Sequence, residues 1–112
     1  MNRYTAHGLV LHALNGEHIA IITPREADST TVLHQLDQAA QTLAPQSVAI
    51  NRKAGGHELT SANGGRVLIT SAPRAPHTLT GIHLDAVHLE PRAHLAPETE
   101  ATLTEQHIPI TR

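Results

Sequence analysis

Cysteine is absent from this sequence of 112 residues, and aromatic side chains are almost absent. Without Cys the chain cannot form a disulfide, a thiolate zinc site or a cysteine nucleophile. There is no Phe and no Trp, and Tyr4 is the single Tyr. Aliphatic side chains must therefore pack the core, and the usual platform on which single-stranded bases stack is missing.

Long apolar runs and an excess of positive charge are also missing. No stretch approaches the roughly 18 consecutive apolar residues that a membrane span needs. The apolar run near the N-terminus is broken by His12 and Asn15, so no signal peptide is predicted. The net charge is -2 with His neutral, which does not favour nucleic acid. We expect a cytoplasmic protein without membrane contact, located in the host cytoplasm if the chain is phage-encoded.

The patterns that are present alternate between helix and strand. Apolar residues at helical spacing predict helices at 5–14 and 28–43 and a short helix at 98–105, and Asp28 or Ser29 is the predicted cap of the second helix. Short runs rich in β-branched residues predict strands. The predicted strands are 18–23, 47–51, 57–62, 66–71, 82–90 and 107–111, with loops at 51–56 and 72–80.

This alternation predicts one α/β domain over 1–112, with a small mixed, partly parallel sheet of about five strands in a three-layer-like arrangement. The segments 57–62 and 66–71 should form a β-hairpin, because Asn63-Gly64 supplies the positive φ angles of a tight turn. We expect the hairpin at a sheet edge, where its exposed backbone could pair with another chain. The small core favours a homodimer or a bound protein partner.

The order of these features resembles the ATPase domain of phage large terminases and, more distantly, superfamily-two helicases. The segment 21–27 (IITPREA) is similar to their second conserved strand, and 63–69 (NGGRVLI) to the strand, Asn-Gly-Ser, strand element of terminases. Gly81 followed by 84–90 (LDAVHLE) resembles the family pattern of a Gly, then an Asp, then the Walker B strand. Residues 107–112 lie where the coupling strand of the family would lie. The resemblance covers nearly the whole chain and implies a truncated P-loop-like core of phage-type origin.

Two departures from the family pattern imply a fold that has lost catalysis. The Walker A sequence G-x-x-x-x-G-K-[ST] does not occur, and Met1 stands about where that loop would end. Glu90 falls at the magnesium-holding carboxylate, with Asp85 in the same degenerate Walker-B-like element, and Pro91 replaces the catalytic Glu. Without a phosphate cradle, a Lys and a base, phosphoryl transfer loses most of its electrostatic stabilisation. The expectation is a protein that is not an enzyme and has no cofactor.

Other catalytic and metal-binding patterns are weak. The ten His residues are scattered, with no H-E-x-x-H spacing. Only His83 and Asp85, two apart on one face of a predicted strand, form part of a conceivable metal site. The nucleophile turn G-x-S-x-G is absent. No catalytic, cofactor-binding or metal-binding residue is therefore predicted, and an unrecognised enzyme or metal-binding protein is the last alternative.

Four basic residues, Arg25, Arg52, Lys53 and Arg74, are candidate contacts with nucleic acid or a partner. Ligands of open α/β sheets collect at the carboxyl ends of the parallel strands, where Arg25 and Arg52 should emerge. The resemblance to helicases implies contact between Arg25 and a nucleic-acid backbone. The acidic net charge and the lack of aromatics oppose this, so the sequence favours a non-catalytic protein-interaction module. A nucleic-acid-binding accessory protein that uses these four residues is the alternative.

Overall fold

A computed structural model describes residues 1–53 and 56–112. Within these ranges the chain alternates between helices and strands, as the sequence predicts. The elements in chain order are α1 (Arg3–Leu14), β1 (His18–Thr23), α2 (Glu26–Leu43), β2 (Val48–Lys53), β3 (Gly56–Ser61), β4 (Arg66–Ser71), α3 (Ala75–Thr78), β5 (Ala86–Leu89), α4 (Pro97–Glu105) and β6 (Ile110–Thr111). No helix among the described residues is long and apolar enough to cross a membrane.

The strands form one mixed sheet in the order β2-β3-β4-β1-β5-β6. β1 pairs in parallel with β4 and β5, and β5 pairs in parallel with β6. β3 is antiparallel to both of its neighbours, β2 and β4. The predicted α/β class with a mixed, partly parallel sheet is confirmed, with six strands in the described residues rather than about five.

The predicted hairpin exists, but its predicted position is wrong. β3 and β4 pair as an antiparallel hairpin whose turn contains Gly64 at φ 91°. It lies inside the sheet, because β2 pairs with β3 and β1 pairs with β4. The edges are β2 and β6. The turn chemistry identifies the hairpin, but it carries no information about which further strands add to its sides.

Helices cover the sheet on both faces, and alternate side chains of β1 pack against the helices on each face. Ile19 and Ile21 pack on the side of α1 and α2, whereas Ala20 and Ile22 pack on the side of α3 and α4. A strand buried on both faces needs a nearly continuous apolar run, which is the pattern of residues 18–23. The layers are therefore helix, sheet and helix, as expected.

The start of α2 differs from the prediction. The N-cap is Arg25, which makes no side-chain cap bond, so the predicted caps Asp28 and Ser29 are wrong. Ser29 lies inside the helix and its hydroxyl is 2.8 Å from the Thr23 hydroxyl. That buried contact joins the first turn of α2 to the end of β1 and explains why a hydroxyl residue stands there.

Further boundaries also differ from the prediction. β5 is limited to Ala86–Leu89 instead of 82–90, since Gly81 turns at φ 76° and Leu84 packs into the core before the strand begins. The loop predicted at 72–80 contains the short helix α3. The first residues of the loop predicted at 51–56 continue β2, since Asn51 and Arg52 pair with Glu58 and His57. Ala54 and Gly55, also in that predicted loop, lie outside the described residues.

Candidate functional site

The carboxyl ends of β1, β4 and β5 lie at one edge of the sheet because these strands are parallel. The chain leaves β1 through α2 on one face and returns at β2, whereas it leaves β5 through α4 on the other face and returns at β6. Neighbouring strands whose connections diverge in this way leave a crevice between them. Open α/β proteins bind ligands in such crevices.

An open cleft of about 610 Å³ occupies this crevice. Pro24, Arg25 and Asp28 line it from the side of β1 and α2. Glu90, Pro91 and Arg92 line it from the end of β5. The walls therefore carry both signs of charge, and the chemistry of the cleft depends on which of these groups are already engaged.

Glu90, the degenerate Walker-B-like position, is buried and fully engaged. Its Oε1 lies 3.3 Å from the amino nitrogen of Met1, and its Oε2 lies 3.0 Å from Nε2 of His88. The residue is only 8% exposed. Both oxygens of this carboxylate are therefore paired within the chain, an arrangement that stabilises the fold.

Asp85, the other degenerate Walker-B-like residue, lies at the opposite end of β5 from Glu90. Its Oδ2 accepts a hydrogen bond of 2.8 Å from the backbone N–H of His18, at the start of β1. Nε2 of His83 lies 3.9 Å from its Oδ1, with both side chains exposed. The described residues contain no group of three or more His, Cys, Asp or Glu that could hold a metal ion. The structure therefore does not bring Asp85 and Glu90 together.

The candidate basic residues share one edge of the sheet without converging on one point. Arg25 pairs with Asp28 at 3.3 Å, and Arg74 pairs with Glu26 at 3.2 Å. Arg52 is exposed on β2, three strand positions from β1, or about 14 Å at the usual strand spacing. The side chain of Lys53 lies outside the part of the chain that the structure describes. Arg25 and Arg74 are thus each paired with a carboxylate of α2, whereas Arg92, which also lines the cleft, is exposed.

The most exposed apolar surface lies elsewhere, along the outer side of α1. We call Tyr4, Gly8 and Leu11 the α1 stripe, because spacings of four and three place them on one side of the helix. Tyr4 is 76% and Leu11 48% exposed. A Cβ built on Gly8 would have nothing within 4 Å. The sequence singles out Tyr4 only as its one aromatic residue, although the spacing of the three positions is visible in it.

A groove of about 270 Å³ runs beside the α1 stripe. α1 and α2 pack over β3, β4 and β1. The groove lies next to them, where Gly8 and His12 of α1 face Ala86 and His88 of β5 and Thr111 of β6. The stripe therefore borders a part of the sheet that these two helices cover less completely.

Comparisons with known proteins give no match, so a functional argument must be based on the geometry described above. No protein-family model, curated protein or solved structure gives a significant match to the chain. The resemblance to terminase ATPase domains accordingly stays a prediction.

Proposed function

We propose that this chain is a non-catalytic protein-interaction module that binds its partner through the α1 stripe. The observation that carries the proposal is the clustering of exposed apolar side chains. The described residues have three large hydrophobic side chains exposed, and two of them, Tyr4 and Leu11, share one side of one helix. Exposed apolar side chains grouped on one side of a helix offer a surface that a partner can bury, and Tyr is among the residues enriched at interfaces.

The state of the cleft supports a non-catalytic role. Glu90 has both carboxylate oxygens paired, and Pro91 follows where a catalytic Glu would be needed. Arg25 is paired with Asp28. Catalysis of phosphoryl transfer depends on preorganised charges aimed at the reacting oxygens. Here Arg25 and Glu90, on the two sides of the cleft, are each paired with another group of the chain.

The proposed descent from a P-loop-like core of phage type is supported by one contact. The Met1 amino group lies 3.3 Å from Glu90, so the start of α1 lies beside the end of β5. In P-loop NTPases the loop before the helix and the Walker B carboxylate hold the same magnesium ion, which requires this closeness. The proposal includes the cytoplasm as the site of action, and the host cytoplasm if the chain is phage-encoded.

The alternative, a nucleic-acid-binding accessory protein, depends on the basic residues at the carboxyl edge. Arg52 and Arg92 are exposed there, and Lys53 is a further basic residue of that edge. Phosphate contacts made by these residues would weaken steeply with added salt. The pairing of Arg25 and Arg74 with carboxylates and the net charge of -2 make this function the weaker of the two.

Affinity capture from lysate, with and without nuclease, tests the proposal. We expect the tagged chain to retain a protein partner after nuclease treatment, and the variant Tyr4→Ser/Leu11→Ser to lose it. Leu43→Ser is the matched control, since Leu43 is the third exposed large hydrophobic and lies on α2. If the captured protein is instead lost after nuclease treatment, and less of it is captured by the variant Arg52→Ala/Arg92→Ala, the nucleic-acid-binding alternative is established. Hydrolysis of ATP above background, or a stoichiometric metal found by elemental analysis, would show that the chain is an enzyme or a metal protein.

A further inference from the structure

We propose that the partner bound by the α1 stripe is a second copy of this chain. α1 of one copy packs antiparallel against α1 of the other, and the two Gly8 residues face each other where the helices cross. This inference depends on the proposed function, since it names the partner of the same surface. It follows from three properties of α1: its apolar pattern, its glycine and the charges at its ends.

The apolar pattern is self-complementary about Gly8. Tyr4 lies four residues before Gly8 and Leu11 three residues after it, or about 6 Å and 4.5 Å along the helix axis. A two-fold axis through the Gly8 positions of an antiparallel pair places Tyr4 of each copy opposite Leu11 of the other. Each aromatic ring then covers a leucine side chain, and the contact forms twice.

No contact among the described residues requires a glycine at position 8. A helix-interior Gly costs about 1 kcal/mol relative to Ala, and a Cβ at this position would meet no atom within 4 Å. The chain could therefore carry Ala there at no steric cost. A glycine is required where a second backbone approaches closely, and an α1–α1 crossing at Gly8 provides that approach.

The charges at the two ends of α1 favour the antiparallel orientation. Arg3 is exposed at the start of the helix, where its guanidinium lies over the Tyr4 ring and has no carboxylate partner among the described residues. Glu17 follows the end of the helix; its Oε2 contacts Nδ1 of His12, and its side chain is still 41% exposed. An antiparallel pair places Arg3 of each copy toward Glu17 of the other and opposes the two helix dipoles. A parallel pair would bring like charges together.

The expected dimer is weak. A single pair of crossing helices buries less than the roughly 1,200 Å² of a standard stable interface. We therefore expect association in the micromolar range, which corresponds to about 8 kcal/mol. At lower concentrations the chain should be a monomer.

Sedimentation equilibrium over a range of concentrations tests the inference. We expect the wild type to associate, Leu11→Asp to weaken the dimer at least tenfold, and Leu43→Asp to leave it unchanged. Gly8→Ala separates interface from fold: thermal unfolding of the dilute variant should occur at a higher temperature, whereas its dimer should be weaker. Loss of association in the Leu43 control to the same extent as in Leu11→Asp would overturn the inference.

A charge exchange tests the orientation. Arg3→Glu alone and Glu17→Arg alone should each weaken the dimer, because each creates two like-charge contacts between the copies. The double variant Arg3→Glu/Glu17→Arg restores opposite charges and should recover association. Failure of recovery would contradict the antiparallel arrangement.

The two proposals fail in different ways. If the wild type stays monomeric at millimolar concentration while capture of a different protein still depends on Tyr4 and Leu11, the dimer is wrong and the interaction module stands. If neither self-association nor capture of a partner depends on Tyr4 and Leu11, both the dimer and the interaction module are wrong.

Discussion

Gly65 lies directly against the last turn of α1, where a Cβ built on it would stand 1.7 Å from the carbonyl oxygen of Ala13. The hydroxyl of Ser61 donates a 2.8 Å hydrogen bond to the same oxygen and accepts one of 3.0 Å from the N–H of Gly65. The Asn63 amide donates to the carbonyl oxygen of Leu14. The turn between β3 and β4 thus caps the C-terminus of α1 through contacts that leave no room for a side chain at position 65.

Replacement of Gly65 by Ala should lower the free energy of unfolding by about 3 kcal/mol, because the backbone of either the turn or α1 must move. Gly64→Ala is the matched control in the same turn. Gly64 has φ 91° and a Cβ there would meet nothing within 4 Å, so that substitution should cost only about 1 kcal/mol of backbone strain. Urea denaturation of both variants measures the difference. Equal costs would show that the α1 contact does not determine the residue at position 65.

The buried hydroxyl pair between β1 and α2 gives a second prediction. The Thr23 hydroxyl donates to the carbonyl oxygen of Arg25 at 2.9 Å and lies 2.8 Å from the hydroxyl of Ser29, and both residues are buried. Thr23→Val should destabilise the fold by about 1–2 kcal/mol, because it leaves the Ser29 hydroxyl buried without this partner.

A double-mutant cycle checks that assignment. If the two hydroxyls are coupled, Thr23→Val/Ser29→Ala should cost less than the sum of the two single substitutions. Chemical denaturation of the four proteins gives the coupling energy. Strict additivity would mean that the pair does not join β1 to α2.

The sequence correctly predicts the elements whose residue pattern fits only one kind of secondary structure. β1 has its predicted bounds, since a nearly continuous apolar run rich in β-branched residues between a Gly turn and Pro24 fits a strand buried on both faces. α2 ends at Leu43 as predicted, with the last residue of its apolar stripe and two residues before Pro45. The tight turn at Asn63-Gly64 identified the β3–β4 hairpin.

The order of the strands and the pairing of charges could not be derived from the sequence. The position of β2 beside β3 depends on pairing across the sheet, which no local pattern encodes, so the hairpin was wrongly placed at an edge. The sequence placed Arg25 and Arg52 at the carboxyl edge, and the structure has both there. The neutralisation of Arg25 by Asp28 depends on side-chain orientation. The α1 stripe was missed because apolar residues occur on several sides of this helix.

Tyr4 offers an optical test of self-association, because no other Tyr or Trp is present. Its side chain is 76% exposed in the single chain, and in the proposed dimer it covers Leu11 of the other copy. Quenching of its fluorescence by iodide should therefore decrease as the protein concentration increases. In Leu11→Asp the quenching should not depend on concentration. If quenching in the wild type also did not depend on protein concentration, burial of Tyr4 between two copies would be contradicted.

The paired state of Glu90 gives the last prediction. Glu90→Gln keeps the size of the side chain but removes the charge that faces the Met1 amino group and His88. Hydrogen bonds to charged groups contribute more than neutral ones, so the substitution should lower the free energy of unfolding by about 2 kcal/mol. Glu105→Gln is the control, because Glu105 is exposed at the end of α4 and its change should have little effect.

The same variant separates a structural Glu90 from a catalytic one. If the carboxylate only stabilises the fold, Glu90→Gln should be less stable than the wild type yet bind the protein partner equally well at temperatures where it is folded. Urea denaturation and partner capture measure the two properties on one sample. A variant with unchanged stability would show that Glu90 is free in solution, and the cleft would then have a carboxylate available for chemistry.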